Sequence, residues 1–150
     1  MVATLACLLS IGCGCWANEE TARIWQEKYR EGLFPGYQNF RVITCDGDIG
    51  WSLFSYELPA NAKAADVIPV LRSQITGIDA VLRPGMALQW PFASEDATNL
   101  HVRSTGEDDW RIRVSPARRR VTAMYASLDS EAERDAYPRL VAAFERAYRE

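Results

Sequence analysis

Asp46-Gly47 stands between two apolar-rich runs in the stretch FRVITCDGDIGWSLFSYEL, residues 40–58. An Asp-Gly pair so placed is a strong hairpin signal, because a two-residue type I′ turn needs φ > 0 at both central positions. A turn centred there sets Cys45 opposite Asp48, Val42 opposite Trp51 and Phe40 opposite Leu53. One face then carries Phe40, Val42, Ile49, Trp51 and Leu53, and the other Cys45, Asp48, Phe54 and Tyr56. Apolar residues on both faces predict an interior strand pair with cover on both sides.

The first seventeen residues, MVATLACLLSIGCGCWA, carry no charge. Val2 to Ile11 is an apolar run of signal-peptide length, too short to span a bilayer as a helix. Residues 1–17 are therefore expected to be an export signal, although no Lys or Arg precedes the run. Ser10-Ile11-Gly12-Cys13 resembles a bacterial lipobox, which implies lipidation of Cys13; Ser10 stands where that motif carries Leu. Cys15-Trp16-Ala17 resembles a small-x-Ala site, which implies cleavage after Ala17. The four cysteines bear on the choice. Lipidation of Cys13 leaves Cys15 and Cys45, a pair that an oxidising compartment can join, whereas cleavage after Ala17 leaves Cys45 as a lone thiol.

Residues 18–150 suit one domain with a single core. A hydrophobic share of 48% with 25% charged residues is globular rather than disordered. A net charge of −3 gives no footprint for a nucleic-acid partner, and any membrane contact is expected only through a lipid anchor. A helix is expected from Asn18, with Ile24, Trp25, Tyr29 and Leu33 as its apolar stripe and Pro35-Gly36 as its stop. A second helix is predicted over 64–75, with Asp66 as N-cap and Val67, Val70, Leu71 and Ile75 buried. Short strands follow at 78–82, 86–90, 100–104, 110–114 and 121–125. Ser130-x-x-Glu133 is a capping box for a C-terminal helix that Pro138 is expected to divide, with a stripe of Leu140, Val141, Phe144, Ala147 and Tyr148. The fold class is thus α+β: one domain with an antiparallel β-sheet packed by an N-terminal, a middle and a C-terminal helix.

Chemistry is sparse. His101 is the only histidine, which excludes zinc sites built on two or more of them, and no metal or cofactor is expected. Asp46, Asp48 and Glu57 fall on positions 1, 3 and 12 of a calcium loop, but Gly50 offers no ligand at position 5 and Trp51 replaces the required Gly at position 6. Cys45 and His101, with Asp48 to orient the imidazole, are the residue types of a thiol enzyme; nothing in the sequence places them together. Glu95-Asp96 and Glu107-Asp108-Asp109 read as solvated turn acids. Arg111, Arg113 and Arg120 are expected to share one face of a hairpin, where they could meet a small anionic ligand or an acidic partner. The function this favours is an exported bacterial cell-envelope protein of lipoprotein type, periplasmic or membrane-anchored, which acts as a non-enzymatic binding or structural module with an envelope protein as partner. The alternative is a small envelope hydrolase or thiol enzyme using Cys45 and His101.

Overall fold

The structure, a computed structural model, describes residues 19–75, 98–103 and 108–150. The elements run α1 (Glu19–Lys28), a 3₁₀ turn (Arg30–Gly32), β1 (Gln38–Asp46), β2 (Trp51–Glu57), α2 (Ala64–Ile75), β3 (Asn99–Arg103), β4 (Asp109–Ser115), β5 (Arg120–Ala126) and α3 (Glu131–Arg149). The strands form one antiparallel sheet in the order β1-β2-β5-β4-β3. This is the expected α+β domain, with helices from the N-terminal, middle and C-terminal parts of the chain. The strands expected at 78–82 and 86–90 lie outside the described residues.

The sheet is covered on both faces. Phe40, Val42, Cys45, Phe54, Tyr56, Trp110, Ile112, Val114, Val121 and Ala123 pack on one side with Tyr29, Leu33 and the buried stripe of α2. On the other side Leu53, Met124 and Ala126 meet Leu140 and Phe144 of α3. The period of two is clearest on β4, where Trp110, Ile112 and Val114 enter the first core while Arg111 and Arg113 point to the second.

The first hairpin departs from its expected register. Asp46 pairs with Trp51, Cys45 with Ser52 and Val42 with Phe54, so the corner is a four-residue loop, 47–50, rather than a two-residue turn. The cause is local. The Asp46 carboxylate accepts hydrogen bonds from the backbone N–H groups of Asp48 (3.0 Å) and Ile49 (3.2 Å), which folds the chain back through the aspartate side chain. Gly50, not Gly47, takes the left-handed conformation, at φ +64°. A register shift between Val42 and Thr44 then changes which residues of β1 face the core. Cys45 therefore joins Phe40 and Val42 on the α1/α2 side, and Leu53 goes to the α3 side.

At the N-terminal end α1 stops at Lys28, and Tyr29 and Leu33 reach the core through the 3₁₀ turn. Ile24, expected in the stripe, is 53% exposed. Gly32 is buried where a Cβ would lie 2.7 Å from two carbons of the Trp110 ring. Gly32→Ala is therefore expected to cost about 1–3 kcal/mol, the range for overpacking a filled core, read as a lower urea midpoint. No change in midpoint would show that the indole moves aside without cost.

In α2 the helix begins at Ala64, before Asp66, and Ile68 rather than Val70 completes the buried set of Val67, Leu71 and Ile75. Pro69 is exposed, so its ring faces solvent. Pro138 does not divide the C-terminal helix either. It too is exposed, and buried Ala136 and Leu140 on either side hold the helix to the sheet across the missing hydrogen bond. The capping box forms as expected: Ser130 Oγ accepts from Glu133 N–H at 3.2 Å, and Glu133 Oε2 accepts from Ser130 N–H at 2.7 Å. Ser130→Ala is expected to destabilise the domain by about 1 kcal/mol. Thermal unfolding would register this as a lower Tm, and an unchanged Tm would mean that α3 is held by its packing alone.

Candidate functional site

The densest polar cluster lies between the outer half of the sheet and α3. Register builds it. His101 on β3 is directly opposite Arg111 on β4, and Asp109 is two residues before Arg111 on the same face. The strand neighbours on β5 are Ala126 beside Asp109 and Met124 beside Arg111, so a carboxylate fits beneath the helix. Tyr137, in the second turn of α3, reaches down to it. His101 Nε2 bonds Asp109 Oδ1, and Tyr137 donates its hydroxyl to Asp109 Oδ2 at 2.5 Å. Arg111 Nε donates to Tyr137 Oη at 3.1 Å and stands 3.9 Å from Asp109 Oδ2. The Asp109 side chain has no exposure and that of His101 only 6%.

Burial fixes the protonation of this cluster's phenol. Desolvation first, and the neighbouring Asp109 charge second, push Tyr137 up to about 12, while Arg111 pulls the other way. Tyr137 thus stays a donor to the carboxylate at neutral pH. Tyr29, Tyr56 and Tyr125 are also raised, each chiefly by burial. Groups that ionise more readily unfolded than folded stabilise the fold fully below the unfolded value and lose that contribution as pH rises. Stability is therefore expected to be insensitive to tyrosine up to about pH 10 and to fall from there through 12, with phenolate absorbance appearing together with unfolding. Phenolate absorbance at full amplitude near pH 10, with the fold intact, would contradict this burial.

The arginines do share a face, as their alternation predicted, and that face is the seat of α3. Arg113 Nη1 donates to Glu145 Oε2 at 2.7 Å, and its guanidinium lies 3.8 Å from the centre of the Tyr148 ring. Arg120 Nη2 donates to the Ala147 carbonyl at 3.2 Å. Arg118 donates to the carbonyls of Tyr148 (3.2 Å) and Arg149 (2.7 Å). These are last-turn carbonyls, which have no partner within the helix, so the cations both cap α3 and complement its dipole. An anionic ligand on this face would have to compete with the helix.

A second feature lies across the sheet. Lys28 Nζ sits 4.5 Å from the Trp25 ring centre, 5.4 Å from Tyr29 and 5.9 Å from Tyr125. Tyr125 donates its hydroxyl to Asp108 at 2.7 Å. Burial lowers the lysine, and Asp108 opposes that. This cation–π contact seals the end of an aromatic row of Trp25, Tyr29, Phe54 and Trp110.

The remaining candidates are dispersed. Cys45 lies on edge strand β1 and His101 on edge strand β3, with three strands between them. That is about 19 Å at ordinary strand spacing, and the two side chains face opposite layers. Cys45 is 1% exposed and disulfide-bonded; the chain's other cysteines are all outside the described residues. Asp48 is exposed in the 47–50 loop. Among the described residues no three His, Cys, Asp or Glu side chains gather as a metal site requires, and no helix is long and apolar enough to cross a membrane. Glu95 and Asp96 are outside the described residues. Asp109 is a correction to the expected solvated turn acid: it opens β4, fully buried. Its parity with Arg111 and Arg113 was the sequence signal for that position, whereas nothing local marked Tyr137 as its partner. Comparison of the chain with protein-family models, curated proteins and solved structures finds no match.

Proposed function

We propose that this is an exported bacterial cell-envelope protein, anchored as a lipoprotein, whose domain acts as a non-enzymatic binding or structural module for another envelope protein. The observation that carries this is the disulfide at Cys45, buried in the core. Such bonds persist in oxidising compartments and are rare where thiols are kept reduced. It stands in one chain with an uncharged apolar run of signal-peptide length, residues 2–11. The side chains that could do chemistry are engaged within the fold: His101 with Asp109, and the arginines with α3.

Fractionation tests the export. Full-length chain made in a bacterial host is expected in the envelope fraction, digested by protease added outside the inner membrane, with Cys45 unreactive to iodoacetamide in denaturant until a reductant is added. Recovery from the cytosol with Cys45 alkylated without reduction would refute it. The binding role is tested by crosslinking in intact cells followed by reconstitution from purified components. Reproducible association with one envelope protein is expected, and thiol-dependent hydrolysis by the purified domain would overturn the non-enzymatic assignment.

A further inference from the structure

We propose that Trp25, Tyr29 and Tyr125, with the carboxylate of Asp108, form a binding site for a quaternary ammonium group, carried by a free solute or by a lipid headgroup, and that the chain's own Lys28 plugs this site when no ligand is bound. The proposal goes beyond the envelope role above and does not depend on it, since it concerns a small cation rather than a protein partner. The site is assembled from distant parts of the chain. Trp25 and Lys28 lie on α1, Tyr29 follows it, Asp108 precedes β4 and Tyr125 is on β5.

The rings are held in place before any ligand arrives. Trp25 and Tyr29 stack at 5.4 Å with their planes 6° apart, and Tyr125 tilts against Tyr29 at 5.3 Å. Trp110 props both tyrosines, 5.5 Å from Tyr29 and 5.3 Å from Tyr125. The Lys28 ammonium is 4.5 Å from the centre of Trp25, 5.4 Å from Tyr29 and 5.9 Å from Tyr125, all within the reach of a cation–π contact. Asp108 accepts the Tyr125 hydroxyl at 2.7 Å, and its charge acts on Lys28, Tyr29 and Tyr125 together. The arrangement is thus three ring walls and one negative charge around a cation.

A primary ammonium matches this set poorly. It carries three N–H donors, and ring faces accept them only weakly. Among the described residues Lys28 has no hydrogen-bond or ion-pair partner. Burial against the rings lowers its pKa although Asp108 opposes this, so the site takes water from the ammonium without returning an acceptor. A quaternary ammonium has no N–H to satisfy. It gains the same ring faces and the Asp108 charge without that loss. Lys28 is also easy to withdraw, because the residue is exposed and α1 buries none of its own residues. A ligand therefore displaces one flexible side chain and leaves the core in place.

The test titrates the full chain with tetramethylammonium, with choline, and with the uncharged isostere of choline in which carbon replaces nitrogen. Calorimetry and the indole N–H resonance of Trp25 read the binding. Both cations are expected to bind one-to-one, and the isostere not to bind. Lys28→Ala, which removes the plug at an exposed position, is expected to bind choline about tenfold more tightly, and Trp25→Leu about tenfold more weakly, each the worth of one partly desolvated cation–π contact. Asp108→Asn keeps every ring and is expected to weaken binding by a similar factor. The urea midpoint of each variant checks that it is folded. Tighter binding of glycerophosphocholine than of choline would mark a lipid headgroup as the source, and the reverse a free solute. Equal binding of the uncharged isostere, no saturable choline binding by folded Lys28→Ala, or binding unchanged by both Trp25→Leu and Asp108→Asn would each overturn the site and leave the envelope role standing.

Discussion

Replacing Asp109 by alanine is expected to lower stability by about 3–5 kcal/mol, the cost of removing one member of a buried ion pair. The carboxylate bonds His101 and Tyr137 and lies near Arg111, and its side chain has no solvent exposure. Alanine leaves the imidazole and the phenol beneath α3 without that acceptor, and water cannot replace it unless the helix lifts. Asp109→Asn keeps the shape and one carbonyl acceptor, and the imidazole can change tautomer to meet the amide. Its cost is expected to be about half as large. Urea unfolding of both variants measures the difference. Equal losses would show that the carboxylate charge decides the energy, and losses under 1 kcal/mol would show that the cluster is wet or redundant. Because domains of this kind are stable by about 5–15 kcal/mol, the alanine variant should be close to unfolding at 37 °C.

A comparable loss, about 3–5 kcal/mol, is expected for Phe54→Ala on the other face of the sheet. Phe54 is fully buried on β2 at the centre of the aromatic row. Its ring stacks on Tyr29 at 5.3 Å, tilts against Phe40 at 5.2 Å and meets Trp110 edge-on at 6.2 Å. These neighbours come from the N-terminal segment, β1 and β4, so no single element can collapse to fill the gap. Ile24→Ala is the natural comparison, because Ile24 is half exposed and should cost no more than about 0.5 kcal/mol. Chemical denaturation separates the two, and a Phe54→Ala midpoint close to that of Ile24→Ala would mean that the cavity refills.

What the sequence discloses depends on how local the cause is. The capping box at Ser130 and Glu133, the alternation of Trp110, Ile112 and Val114, and the α2 span are set by residues within one or two turns of each other, and all are found. Asp46-Gly47 marks the hairpin corner in the sequence, but not its length. There the Asp46 side chain competes for backbone N–H groups that a two-residue turn would leave elsewhere. A single added residue near Ile43 then moved Cys45 to the other face, since parity is lost at any bulge. The burial of Asp109 is hidden in the sequence for a different reason. Its burial follows from His101 across the ladder and Tyr137 on α3, which are 8 and 28 residues away, and spacing along the chain carries no trace of such partners. Cys45 and His101 illustrate the converse: compatible chemistries in sequence, assigned by strand order to opposite edges.

The β4–β5 turn has a practical bearing. Arg119 sits there in the left-handed region, φ +50°, and its guanidinium donates to the carbonyls of Pro59 (2.6 Å) and Ala62 (2.9 Å), while its own carbonyl accepts from Leu58 N–H at 2.8 Å. A corner that looks like an ordinary exposed loop is thus the clasp between two segments far apart in the chain. A fluorophore, epitope tag or permuted terminus inserted at residues 116–119 would open that clasp. At Gly47 a Cβ would meet nothing within 4 Å, so probes for following this protein belong there.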